Sequence, residues 1–145
     1  MSAATPLRPT QDEAAGRAPT PRVLLVDDDP LVGVAYSRML RPFQVVFAQS
    51  AAGALARLQA GGRFDAIVCD FYMPGMNGMD FHAEVGKLSP AMAGQIVFVT
   101  GALSSKEVTA FLARTSNACL FKPVEREALQ GAVVAAAAAR TQADG

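Results

Sequence analysis

At 145 residues with 13 basic and 13 acidic side chains, the chain is long enough to bury a core within one domain and carries no net formal charge. No basic cluster marks a nucleic-acid footprint, and no apolar run approaches a membrane span, since Val23–Val26 and Ile96–Val99 are each bounded by polar residues. The N-terminus lacks the charged-then-apolar pattern of a signal peptide, and Cys69 and Cys119 sit inside apolar runs rather than in a Cys-x-x-Cys pair, as reduced core thiols of a cytoplasmic protein do.

Residues 1–21 hold four of the nine prolines and hardly any large apolar side chains. Such a segment cannot bury enough surface to offset its ordering entropy, so a disordered leader is expected there. Residues 22–140 form the expected folded domain, and residues 141–145 a short polar tail.

The first apolar run, Val23-Leu24-Leu25-Val26, ends in Asp27-Asp28-Asp29. Asp29-Pro30 then combines an N-cap with proline at the first helical position and predicts a helix over Leu31–Leu40. A strand at Gln44–Ala48 leads to a helix over Ala51–Ala60, capped by Ser50 and burying Ala51, Leu55 and Leu58. Ala66–Cys69 is apolar throughout and ends in Asp70, and a helix follows at Met79–Lys87. Ile96–Val99 ends in Thr100, and the capping-box spacing of Ser104 and Glu107 opens a helix over Ser105–Thr115. Cys119–Phe121 ends in Lys122, and Val124–Ala139 closes the domain with Leu129, Ala132, Val133 and Ala136 on one face.

Apolar runs without alternation suit strands covered on both faces, the condition of a parallel sheet. Five successive βα units with right-handed crossovers give a doubly wound (βα)5 α/β fold, in which ligands bind at the carboxyl ends of the strands. Those ends deliver Asp27, Asp28, Asp70, Thr100 and Lys122. Three carboxylates in one crevice repel one another, and a hard divalent ion such as Mg²⁺ relieves that repulsion when phosphate oxygens complete its shell. Lys122 adds a compact cation and Thr100 a hydroxyl, both suited to phosphate oxygens. A carboxylate beside a divalent ion, an ammonium and a hydroxyl fits phosphoryl transfer onto an aspartate.

The ordered motifs Val-Asp27-Asp28, Cys-Asp70-Phe-Tyr-Met73-Pro74-Gly-Met-Asn-Gly78, Val-Thr100-Gly101 and Lys122-Pro123 resemble the receiver domain of two-component signalling, over Arg22 to about Arg140. The resemblance implies a flavodoxin-like five-stranded parallel sheet in the order 2-1-3-4-5. It implies Asp70 as phosphoacceptor, and Mg²⁺ held by Asp27, Asp28, Asp70 and the main-chain carbonyl of Tyr72. It further implies Thr100 as the switch hydroxyl, Lys122 as the lysine contacting the phosphoryl group, and a cis bond between Lys122 and Pro123. Partners implied are a sensor histidine kinase or phosphotransfer protein upstream and a protein target downstream, with no nucleic acid, no membrane and an open oligomeric state. The domain would catalyse its own phosphorylation and dephosphorylation without turning over an external substrate. With only polar residues after the last helix, it is expected to be a stand-alone regulator or the receiver part of a hybrid kinase.

Three positions depart from the commonest receiver pattern. Cys119 stands where an aromatic switch residue is frequent, Tyr72 is a bulky ring two residues after Asp70, and Asn77 replaces a common aspartate before Gly78. Competing readings fit less well. A haloacid-dehalogenase-type phosphatase needs an acid two residues after its nucleophile, where Tyr72 stands. A flavodoxin needs a hydroxyl-rich phosphate loop after the first strand, where Asp27-Asp28-Asp29-Pro30 stands. A docking-only pseudo-receiver would not need the intact constellation.

Other polar and sulfur residues take structural readings. His82, between Met79 and Val85, reads as a partly buried structural histidine. Met73, Met76 and Met79 read as loop and core packing. A disulfide between Cys69 and Cys119 is disfavoured because their strands would flank the fourth at roughly 9–10 Å, beyond the ~7 Å Cα reach of such a bond.

Overall fold

The computed structural model describes residues 20–101 and 105–144. Strands β1 (Arg22–Val26), β2 (Gln44–Ala48), β3 (Ala66–Asp70), β4 (Ile96–Thr100) and β5 (Cys119–Phe121) lie parallel in the order β2-β1-β3-β4-β5. The flavodoxin-like doubly wound order 2-1-3-4-5 is therefore the observed one. Every residue of β3 and β4 is buried, as expected of central strands without polar alternation.

Six helices cover the sheet among the described residues: α1 (Pro30–Met39), α2 (Ala51–Gln59), α3 (Gly78–Leu88), α4 (Pro90–Ala93), α5 (Lys106–Arg114) and α6 (Arg126–Asp144). Successive strand residues point to opposite faces, and two cores result. Leu24, Val26, Ile67, Cys69 and Phe98 face α2, α3 and α5, meeting Leu55, Phe81, Val85, Val108 and Phe111. Val23, Leu25, Val68, Val97 and Val99 face α1 and α6, meeting Tyr36, Leu40, Leu129 and Val133.

Capping sets where the helices start. Asp29, Ser50, Asn77, Ser89 and Ser105 each accept a hydrogen bond from a main-chain N–H of the first turn. Such a cap stabilises a helix by about 1 kcal/mol. The α5 cap is Ser105, whose Oγ accepts from Glu107 and Val108; the expected cap Ser104 lies outside the described residues. The short helix α4 was not expected, although Ser89-Pro90 repeats the cap-then-proline pattern of Asp29-Pro30. The last helix begins at Arg126 rather than Val124 and continues to Asp144, past the expected end at Ala139. Nothing in Arg140-Thr-Gln-Ala-Asp breaks the helix begun by the preceding alanine run. The leader expected over residues 1–21 lies, up to residue 19, outside the described residues.

Cys69 and Cys119 both register with Phe98, on opposite sides of it, and both are free. His82 is half-buried with its ring 5.5 Å from that of Phe111 and 6.1 Å from that of Phe98, which bears out its structural reading. Met73 is buried, and Met76 and Met79 pack against the same core.

Candidate functional site

The first three strands of the site end at one edge because the sheet is parallel. β1 delivers Asp27 and Asp28, and its neighbour β3 ends in Asp70. One oxygen from each of these three carboxylates lies within 4.8 Å of the others. β4 ends in Thr100, one residue beyond the Asp70↔Val99 register position, and Thr100 is fully buried. Lys122 follows β5, its N–H donating to the Thr100 carbonyl at 2.9 Å. Its ammonium Nζ reaches across to 3.5 Å from Asp70 Oδ1. The Lys122–Pro123 peptide bond is cis.

Local structure holds the acids in place. The Asp29 N–H donates to Asp27 Oδ1 at 2.9 Å, while the Asp29 side chain accepts from Leu31 N–H. Asp29 thus acts as a helix cap, as expected from sequence, and its main chain also orients Asp27. After β3, Phe71 N–H donates to Val99 O and Gly78 N–H donates to Phe71 O, closing the loop around Asp70. Gly78 is required there: a Cβ would come within 2.6 Å of the buried Phe71 ring. Gly75 takes a positive φ of 86° in the same loop, and Asn77 caps α3 by accepting from Asp80 N–H.

The electrostatics are those of a crowded anionic pocket. Asp27 is 2% and Asp70 9% exposed, whereas Asp28 is open to solvent. Burial pushes the pKa of Asp70 upward; Lys122 pulls it back, and Asp27 and Asp28 push it up further. Asp27 is raised for the same first reason, opposed by the Asp29 N–H and by Lys122. The three oxygen donors have the hardness and charge that a divalent cation of the Mg²⁺ class takes, and such a cation would relieve the strain on two buried carboxylates.

The structure thus brings together Asp27, Asp28, Asp70 and Lys122 and sets Thr100 at the adjoining strand end. Tyr72 lies two residues beyond Asp70, 40% exposed, with its ring edge-on to Phe71 at 5.4 Å. Tyr36, not anticipated from sequence, has its hydroxyl pKa raised by burial and then by the charges of Asp27 and Asp70. The signal was there only as a tyrosine on the buried face of α1.

Comparison with known proteins agrees with this geometry. The family profile described as response regulator receiver domain matches residues 23–134. The transcriptional regulatory protein GlrR of Escherichia coli (strain K12) is 32% identical over 115 residues, covering 77% of this chain and 25% of that protein. The chain therefore spans about a quarter of that relative's length. A receiver domain protein from Clostridium thermocellum is similar in structure, with a TM-score of 0.73 and 26% identity over 85% of this chain and 98% of that one. The chemotaxis protein CheY4 of Vibrio cholerae gives a TM-score of 0.68 and 27% identity, covering 81% of this chain and 99% of that one.

Proposed function

The chain belongs to the response regulator receiver domain family of two-component signalling, and on that premise we propose that Asp70 is its phosphoacceptor. The observation that carries this reading is the placement of the Lys122 ammonium 3.5 Å from Asp70 Oδ1, beside the Asp27–Asp28–Asp70 cluster. Asp27, Asp28, Asp70 and the Tyr72 carbonyl would hold Mg²⁺, which when bound neutralises charge on the phosphoryl oxygens.

An Asp70 carboxylate oxygen forms its bond to phosphorus as the P–N bond of a donor phosphohistidine breaks, and the departing ring nitrogen keeps the bonding pair. Lys122 stabilises the charge on the transferring group, and the Thr100 hydroxyl donates to a phosphoryl oxygen. A buried carboxylate whose proton affinity is raised is also a better nucleophile than an exposed one, provided that it is ionised at neutral pH. The upstream partner is a histidine kinase or phosphotransfer protein, and the output is a protein target that distinguishes the two states. No external substrate is turned over. The site chemistry of this chain calls for no nucleic acid, whatever the longer relatives do. No helix among the described residues is long and apolar enough to cross a membrane, and a cytoplasmic location suits the reduced thiols.

The test is incubation with acetyl phosphate and Mg²⁺, read by intact mass. Wild type gains one phosphoryl group, and Asp70→Asn gains none while keeping its circular dichroism spectrum. Equal phosphorylation of the variant would overturn the assignment.

A further inference from the structure

From Pro30 to Phe64 the chain carries four arginines, Arg38, Arg41, Arg57 and Arg63, and no aspartate, glutamate or lysine. That stretch builds α1, β2 and α2, so one whole edge of the domain is positive in a chain of zero net charge. The Lys87–Glu84 and Lys122–Asp70 ion pairs involve none of these arginines. Some of this has a simple origin, because Arg38 and Arg57 lie in the last turns of α1 and α2, where a cation suits the helix dipole. Dipole compensation does not account for the absence of acids around them, nor for the surface they flank.

That surface is an open strand edge. Among the described residues β2 pairs with β1 alone. Gln44 N–H donates to Pro21 O and Ala48 O accepts from Asp27 N–H, so alternate residues of β2 turn their main chain toward β1. Val45 and Phe47 accordingly turn theirs outward. A cleft runs along this edge between the two helices. One part, about 690 Å³, is lined by Val34, Phe47, Gly53 and Arg57. It continues past Val34 and Phe47 to Arg38 and Arg41. Its floor is apolar: Val34 is 52% exposed, and the Phe47 ring packs so closely over Gly33 that a Cβ there would come within 2.4 Å of it. Arg38 and Arg41 lie at the end of α1, away from the strand ends that carry Asp27 and Asp70, while Arg57 lines the part of the cleft shared with Pro30, Ala48 and Gln49.

We infer that this edge binds an acidic polypeptide segment laid along β2 as an added strand. Its main chain would pair with Val45 and Phe47, its apolar side chains would cover Val34 and Phe47, and its carboxylates would meet Arg38, Arg41 and Arg57. Charge complementarity selects an acidic occupant, and the unpaired strand edge over an apolar floor selects an extended peptide rather than a nucleic acid. The inference is independent of the role of Asp70.

The probe is an acetylated, amidated peptide of alternating glutamate and valine, titrated into the ¹⁵N-labelled full chain, with a lysine–valine peptide as control. The expected result is amide shifts centred on Val45 and Phe47 with the acidic peptide alone. Affinity should fall about tenfold or more in Arg38→Glu/Arg57→Glu, whose phosphorylation by acetyl phosphate stays at the wild-type level. Affinity unchanged by charge reversal, or shifts confined to other surfaces, overturns the inference. So does duplex DNA binding these arginines more tightly than the peptide without moving the Val45 and Phe47 amides, which would make the edge a polyanion site. The wild-type shift map decides the matter even if the double variant folds poorly.

Discussion

Lys122 Nζ sits 3.5 Å from Asp70 Oδ1, joining the last residue of β3 to the residue that follows β5 across the end of β4. Asp70 is nearly buried and Lys122 only partly so, which makes the pair a local counter-charge within reach of solvent rather than a sealed salt bridge. Removing the ammonium should therefore cost little stability and much reactivity. Lys122→Ala is expected to keep its melting temperature within a few degrees and to phosphorylate about 10- to 100-fold more slowly with acetyl phosphate and Mg²⁺. A rate equal to wild type would show that Lys122 does not act on the transferring group.

Asp28 is the exposed member of the acidic cluster, so its loss removes an oxygen donor and a charge without opening the core. Asp28→Ala should bind Mg²⁺ at least about tenfold more weakly in a fluorescence or calorimetric titration, with unfolding otherwise unchanged. An unaltered titration curve would remove Asp28 from the metal site.

Asp27 and Asp70 both have pKa values raised above the ordinary 3.8, first of all by burial. A carboxyl raised on folding destabilises the folded state once it ionises. Its cost is absent below the unfolded value of 3.8 and grows as pH rises through the higher folded value. In chelator, wild type should lose stability relative to Asp27→Asn and Asp70→Asn as pH is raised from roughly 4 to 8. At neutral pH each asparagine variant should melt about 2–6 °C above metal-free wild type, and Mg²⁺ should restore that difference to wild type. Variants that melt below metal-free wild type at neutral pH would contradict the charge-crowding account.

The fold was legible in the residues because each apolar run lacks alternation and because Asp29 and Ser50 mark the starts of α1 and α2. Four of the five strand ends announced the site as Asp27-Asp28, Asp70, Thr100 and Lys122. Helix α4 was missed because a four-residue helix has no periodicity to display, even though Ser89-Pro90 carries the start signal. The extent of α6 was missed because alanine-rich helices fade without a stop residue. Tyr36 could not be linked to Asp27 and Asp70 from sequence, since that proximity depends on how α1 crosses the sheet. The positive edge went unread in the sequence, because its open strand and cleft exist only once β2 is placed outermost.

Gly78 and Phe71 make a steric prediction. The ideal Cβ of an alanine at position 78 lies 2.6 Å from Phe71 Cδ2, and Phe71 is fully buried, its ring 5.4 Å from Phe98 and 6.0 Å from Phe111, so it has little room to yield. Gly78→Ala should destabilise by about 1–3 kcal/mol in denaturant titration and displace the loop that closes around Asp70, slowing phosphorylation as well. Wild-type stability in this variant would mean that the loop can shift at no cost.

Tyr72 should govern the lifetime of the acyl phosphate. Its ring leans edge-on against Phe71 and remains 40% exposed, two residues from Asp70, where it can limit the approach of water. Tyr72→Asn should shorten the phosphoryl half-life about three- to tenfold, by removing the shield and offering a group that orients water. A half-life equal to or longer than wild type would exclude this role.

The readout of phosphorylation should bypass β5. Cys119 occupies the position where receivers often carry a switching ring, and it is half-buried against the same core as Phe98 and Phe111. A thiol with one rotatable bond sweeps far less volume than a ring, so its rotation can contribute little to the difference between states, and a modification shifts an equilibrium only through such differences. A different packed route leaves Asp70: Phe71, the next residue, contacts Phe98 and Phe111, and Phe111 anchors α5. Phosphorylation of the proposed acceptor Asp70 would replace one carboxylate charge by about two on the phosphoryl oxygens, beside the Lys122 ammonium. Beryllofluoride, as phosphoryl mimic, should therefore shift amide resonances of residues 70–78, of Thr100 and Gly101, and of residues 105–110 at the start of α5. Shifts along Cys119–Phe121 and Val124–Val134 should be small. Strong shifts spread through β5 and α6 would show that the fifth strand transmits the signal despite lacking the ring.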